Sequence, residues 1–175
     1  MFASADRVVQ TCCLKTHRFG GHFSLSLKNS VGLVAKKVPY GVYDYMWELH
    51  SSPFQRQMIA EINYHYNLDL VVMDGIKAFV SGGPEKGNMV ESGLLFASKD
   101  RVAIDAVGVA VLKMYGAKGR VGKADIFGQD QLKRSAELGF GVKSPDEILL
   151  TPLNSESQEA VERIDQVLKT PDAMH

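Results

Sequence analysis

Apolar residues fall along this chain in short blocks, some of strand length and some with helical spacing. Val8 to Leu14 reads as a buried strand, Leu68 to Met73 as a second and Leu94 to Ala97 as a third, with Ile148 to Leu150 as a last short one. Phe23 to Val34 predicts a short helix capped by Ser24. Ser52-Pro53-Phe54-Gln55 has the cap, early proline and glutamine of a helix start. Phe54, Met58, Ile62 and Tyr66 then mark one apolar stripe on a helix reaching about Asn67. Asp100 caps a helix from Arg101 to about Tyr115 that is apolar almost all round, which predicts a central position. A shorter helix spans Gln129 to Leu138 and stops at Gly139. Ser155 with Gln158 forms a capping-box signature ahead of the stripe Ala160, Val161, Ile164, Val167 and Leu168. Pro39 to Trp47 and Gly116 to Gly122 read as irregular connections. Strand alternating with helix predicts a single α/β domain over residues 1–175, with a mostly parallel or mixed central sheet flanked by helices.

Composition narrows the partners. Lys plus Arg and Asp plus Glu number 20 each in 175 residues, so no global charge draws the chain to nucleic acid or to an anionic membrane. No apolar run is long enough to cross a bilayer, and no signal-peptide pattern opens the chain. Cys12 and Cys13 are the only cysteines. Neighbours on a strand point to opposite faces, so they are not expected to pair as a disulfide. Two thiols also fall short of a four-cysteine iron–sulfur cluster or a structural Cys₄ zinc. The expectation is a reduced, cytoplasmic protein with no cofactor or metal of its own.

Against that neutral background one segment is locally basic. Lys15-Thr16-His17-Arg18-Phe19-Gly20-Gly21-His22 follows the first strand, and Lys28-Asn29 comes shortly after. Lys15 and His17 lie two apart, so on extended backbone they share a face. An ammonium and an imidazole there suit a carboxylate or phosphate, and the glycine pair allows an anion nest. A solvated basic loop is the plainer alternative. Asp74-Gly75 follows the second strand and is expected at the same C-terminal mouth of the sheet, where open α/β sheets hold ligands. Gly82, Gly83 and Gly87 mark a tight loop that is neither a P-loop nor a dinucleotide fingerprint. Asp105, on the apolar helix, needs a partner or a proton. Arg101 is the ordinary partner; Lys15, Lys28 or a bound cation are the others. His17, His22 and Asp74 have no standard metal-ligand spacing.

The order of Lys15-Thr16-His17, Lys28-Asn29 with Gly32, Asp74-Gly75-Ile76, Gly82-Gly83-Pro84 with Gly87, and Asp100 with Asp105-Ala106 resembles domain-of-unknown-function family 362. The resemblance runs from about Ala5 to Leu150 and implies that the chain corresponds to the family's C-terminal portion, as a fragment without an N-terminal α/β segment or with that half supplied from elsewhere. Members often occur beside ferredoxin-type modules, so the resemblance implies a redox context, with any 4Fe–4S cluster on a partner or a missing domain. It carries no established reaction. The departures are Cys12-Cys13 in place of a common Pro-Lys, and Val80-Ser81 where an acid is frequent. An exposed apolar face and homo-oligomers are expected where the family's earlier segment would pack. The combined expectation is a domain that binds a small anion at Lys15, His17, Lys28, Asn29, Asp74, Gly82, Gly83, Gly87 and Asp105. As an enzyme it would use Lys15 or His17 for proton transfer. As an accessory it would dock a ferredoxin-like iron–sulfur partner.

Overall fold

The computed structural model describes residues 4–19, 22–38 and 40–170. Strands β1 (Val9–His17), β2 (His22–Ser24), β3 (Leu70–Gly82) and β4 (Gly87–Ser98) form one sheet in the order β2-β1-β3-β4. β1 and β3 are parallel, while the outer pairs are antiparallel. The sheet is therefore mixed. Seven helices among the described residues flank it: α1 (Ser26–Asn29), α2 (Tyr45–Ser51), α3 (Gln55–Tyr64), α4 (Arg101–Met114), α5 (Gly119–Lys123), α6 (Asp130–Leu138) and α7 (Gln158–Lys169). The fold is α/β. No helix among the described residues is long and apolar enough to cross a membrane.

Several boundaries differ from the sequence expectation. β1 continues past Leu14 to His17, and β3 passes straight through Asp74-Gly75 to Gly82. That dipeptide is a turn signal in isolation, but here it sits at an irregularity where the β3–β4 register shifts between Gly75 and Lys77. Pairing along the whole hairpin also starts β4 at Gly87 rather than Leu94. The expected helix from Phe23 to Val34 divides into β2, α1 and a 3₁₀ turn over Ser30–Leu33, because Phe23 is taken up by a ladder position opposite Thr16. Ile148 to Leu150 is not a strand; a 3₁₀ turn at Pro145–Glu147 precedes it. Within the expected 39–47 loop, Asp44 accepts from Trp47 N at 2.9 Å and starts α2. The cap before α7 comes from Asn154 and Ser157, one residue earlier than expected.

α4 is central as its composition demands. Asp100 accepts from Val102 N at 2.7 Å and Ala103 N at 3.0 Å, fixing its start. The helix packs on β1, β3 and β4 on one side and on α6 and α7 on the other. Val102, Val109, Ala110, Val111 and Leu112 are fully buried there with Leu14, Val71 and Met73 of the sheet. Each such aliphatic side chain of Val or Leu size contributes roughly 1.5–3 kcal/mol. α3 buries a different face from the one its apolar spacing suggests. Arg56, Ile59, Ala60 and Asn63 are buried, whereas Phe54 is 65% exposed. The polar pair turns inward to donate to backbone carbonyls, Asn63 to that of Leu27 at 2.8 Å and Arg56 to that of Phe23 at 3.3 Å.

The far side of the sheet is open. Val9, Ile76 and Leu95 are 58%, 49% and 65% exposed on one face. At the periphery, Gly139 ends α6 with φ +79°, in open space. Gly139→Ala should therefore cost about 1 kcal/mol through the left-handed backbone alone. A fall in the urea midpoint with an unchanged slope is the expected reading.

Candidate functional site

Alternation along β1 puts Thr11, Cys13, Lys15 and His17 on the open face of the sheet. Thr11 pairs with Val72 and Cys13 with Asp74 across the parallel ladder, so those β3 side chains join the same face. Beside them α1 raises Lys28 and Asn29. Together with Cys12, Ser24, Leu25 and Pro84 they enclose a cleft of about 510 Å³. Lys15, His17, Lys28, Asn29 and Asp74 thus share one cleft. Its position differs from the expected one: Lys15, His17 and Asp74 lie within strands on the sheet's open face, not in loops at the strand ends, and Lys28 and Asn29 come from α1 beside them.

α1 is short and has no side-chain cap of its own. Asp105 of α4 supplies one from across the core, accepting from Ser26 N at 2.7 Å and Leu27 N at 3.0 Å. Asp105 is fully buried and lies outside the cleft. Its direct partners are backbone amides, neither Arg101 nor the cleft lysines. Arg101 instead donates to Asn63 Oδ1 at 2.8 Å and to the Tyr66 carbonyl, with its guanidinium over the Tyr66 ring. Burial pushes the Asp105 carboxyl up to about 8, against the pull of the two amides. Asn29 ties α1 to β1 by donating to Thr11 O at 2.8 Å, and Gln10 donates to Ser26 O.

Gly82, Gly83 and Gly87 form the β3–β4 turn and do not line the cleft. A side chain at Gly83, whose φ is +71°, would collide with the Thr16 carbonyl oxygen. Arg18 N donates to Gly83 O at 3.2 Å and the Thr16 hydroxyl to Phe79 O at 3.0 Å, so the turn rests on the end of β1. That contact brings Pro84, after a cis Gly83–Pro84 bond, to the cleft. The Gly20-Gly21 pair lies outside the described residues.

The electrostatics are cationic. Burial first, then Arg56 and Lys15, lower Lys28 to about 8. Burial first, then Lys28, lowers His17 to about 4, so its imidazole is neutral at pH 7. His22 falls to about 4 through burial and Arg56. No ion pair among the described residues involves Lys15 or Lys28. Asp74 Oδ1 accepts from Ile76 N at 3.0 Å. Ser24 Oγ is buried with no hydrogen-bond partner among the described residues. Both thiols are free; Cys13 is exposed, and burial raises Cys12. Among the described residues no group of three or more His, Cys, Asp or Glu side chains could hold a metal ion.

Sequence reasoning missed Thr11, Cys13, Ser24, Val72 and Pro84 as lining residues and Arg56 as the cation behind them. The parity of Lys15 and His17, carried back along the strand, would have found Thr11 and Cys13. Nothing local marks Arg56, which looks like a surface residue next to an exposed Phe54.

The family described as Domain of unknown function (DUF362) matches residues 1–110, and the chain belongs to it. The match covers the N-terminal portion of the chain and stops short of the Leu150 boundary that the resemblance suggested. No curated protein and no solved structure matches.

Proposed function

We propose that, in this member of a family of unknown function, the cleft binds a small anion. Lys15 and Lys28 are its counter-charges, and Ser24 and Asn29 are polar contacts beside them. The observation that carries this reading is the pair of ammonium groups turned into one cleft with no carboxylate of the described residues ion-paired to either. A half-buried charge without a counter-ion is costly, and an incoming anion removes that cost. The orphan hydroxyl of Ser24 points the same way. Gly82, Gly83 and Gly87 act at a distance by seating Pro84, and Asp105 acts by holding α1.

Sulfate is a suitable probe because its charge is constant across the relevant pH range. By calorimetry, Lys15→Ala should weaken sulfate binding about tenfold or more, since a charge-assisted contact contributes roughly 1.5–3 kcal/mol. Affinity should also fall as pH rises through about 8, where Lys28 loses its proton. The groups facing Lys28 are Lys15 and His17 of β1, His22 of β2, Arg56 of α3 and Asp74 of β3; both imidazoles are already neutral there. Equal affinity at pH 6 and pH 10, or an unaffected Lys15→Ala, contradicts the reading.

One observation favours a second reading, an accessory domain that docks a protein partner such as a ferredoxin-type module. Val9, Ile76 and Leu95 continue the cleft's face as exposed apolar surface, and parallel strand pairs are ordinarily covered on both faces. Sulfate titration separates the two, because a docking surface alone leaves sulfate unbound.

A further inference from the structure

Lys28 offers more than charge. It stands half-buried at the wall of a cleft lined in part by the apolar side chains of Leu25, Val72 and Pro84, which suits a short carbon chain better than a bare inorganic ion. Resting on the anion reading above, we propose that Lys28 is a nucleophile that forms an imine with a small oxo acid, a carboxylate bearing a neighbouring carbonyl, while Lys15 holds the carboxylate.

Three features of the site support the assignment. Among the described residues Lys28 has no hydrogen-bonded or ion-paired acid, and Lys15 and Arg56 both crowd its ammonium electrostatically. Desolvation and neighbouring cations are the means by which a lysine amine is made available as a nucleophile near neutral pH. The lowered lysine value of about 8 agrees with that geometry. The third feature is His17. Its Nδ1 lies 3.4 Å from the Phe19 carbonyl, which can only accept, so Nδ1 carries the proton and Nε2 the lone pair.

The step balances without any further reagent. With its value lowered to about 8, a fraction of Lys28 gives its proton to water at pH 7, and the free amine attacks the carbonyl carbon. The carbon–oxygen double bond opens to a carbinolamine. His17 Nε2 relays one proton from the nitrogen to the oxygen, the hydroxyl takes back the proton given to the solvent and leaves as water, and a protonated imine remains. Ammonium plus carbonyl thus gives iminium plus water. The carboxylate stays on Lys15 throughout.

The test uses pyruvate with cyanoborohydride on the whole protein, followed by peptide mapping, with Lys28→Arg as the comparison. Arginine keeps a positive charge at this position but forms no imine. The expected result is one reduced adduct, on Lys28, absent from Lys28→Arg, with lactate competing against its formation. Adducts scattered over surface lysines, or none, overturn the proposal. Lactate, which has no carbonyl, separates this failure from that of the anion reading. If lactate binds in a Lys15-dependent way while no adduct forms, only the imine is wrong. If neither acid binds, the anion reading fails and the imine with it.

Discussion

Lys28→Met should remove most of the anion affinity of the cleft and leave the protein more stable than before. The two effects have one origin. In the unfolded chain the Lys28 ammonium is fully hydrated; in the folded protein it is half-buried beside Lys15 and Arg56, with no acid ion-paired to it among the described residues. Folding at neutral pH therefore works against that charge, and methionine keeps the packed stem while removing it. Discounted for the screening at a partly exposed site, the gain should be about 1 kcal/mol. The affinity loss should be tenfold or more, since a charge-assisted contact disappears. Thermal or urea unfolding beside sulfate calorimetry measures both. A destabilised Lys28→Met would mean that the ammonium has a structural task and that the cleft is not poised for a counter-ion.

Asp105→Ala should produce the largest loss of stability. The Asp105 side chain accepts from Ser26 N and Leu27 N inside the core, and alanine leaves both amides buried without that acceptor. Each such loss costs about 1–3 kcal/mol, so about 2–6 kcal/mol in all is expected from urea unfolding. Asp105→Asn, which keeps one acceptor oxygen, should fall between. Because α1 has no other cap, the same change should loosen Lys28 and Asn29 and weaken sulfate binding without touching the cleft itself. A loss under about 1 kcal/mol would show that the Gln10 and Asn63 contacts alone suffice to hold α1.

What could be read from the sequence was whatever local chemistry dictates. The cap at Asp100 and the all-round apolar surface of α4 are properties of consecutive residues, and both appear as expected. The alternation that puts Lys15 and His17 on one face is equally local. It holds even though the strand runs further than its apolar block, because a polar open face does not interrupt a strand. What could not be read depends on partners distant in the chain. Asp74-Gly75 looks like a turn until β4 is placed opposite it. Phe23 looks helical until Thr16 takes it into a ladder. Arg56 and Asn63 look like solvent-facing residues of α3 until the carbonyls of Phe23 and Leu27 are set beside them.

Asp105 shows the same division within the site. Its need for a partner was legible from its apolar helix, but the partner was not, because backbone amides leave no mark in a sequence. The five polar residues Lys15, His17, Lys28, Asn29 and Asp74 share a cleft for a reason only partly visible beforehand. The parallel pairing of β1 with β3 aligns Cys13 with Asp74, and Asp105 then draws α1 alongside. The glycines of the β3–β4 turn were readable as a tight turn, while their contact with the end of β1 was not.

The most direct test of the proposed anion site is amide and side-chain chemical-shift mapping of the labelled protein during a sulfate titration at pH 7. The account predicts saturable shifts concentrated at Lys15, Ser24, Lys28 and Asn29, weakened by added salt and lost in Lys28→Met. Shifts scattered over exposed lysines, or a saturable site away from the cleft, would contradict it.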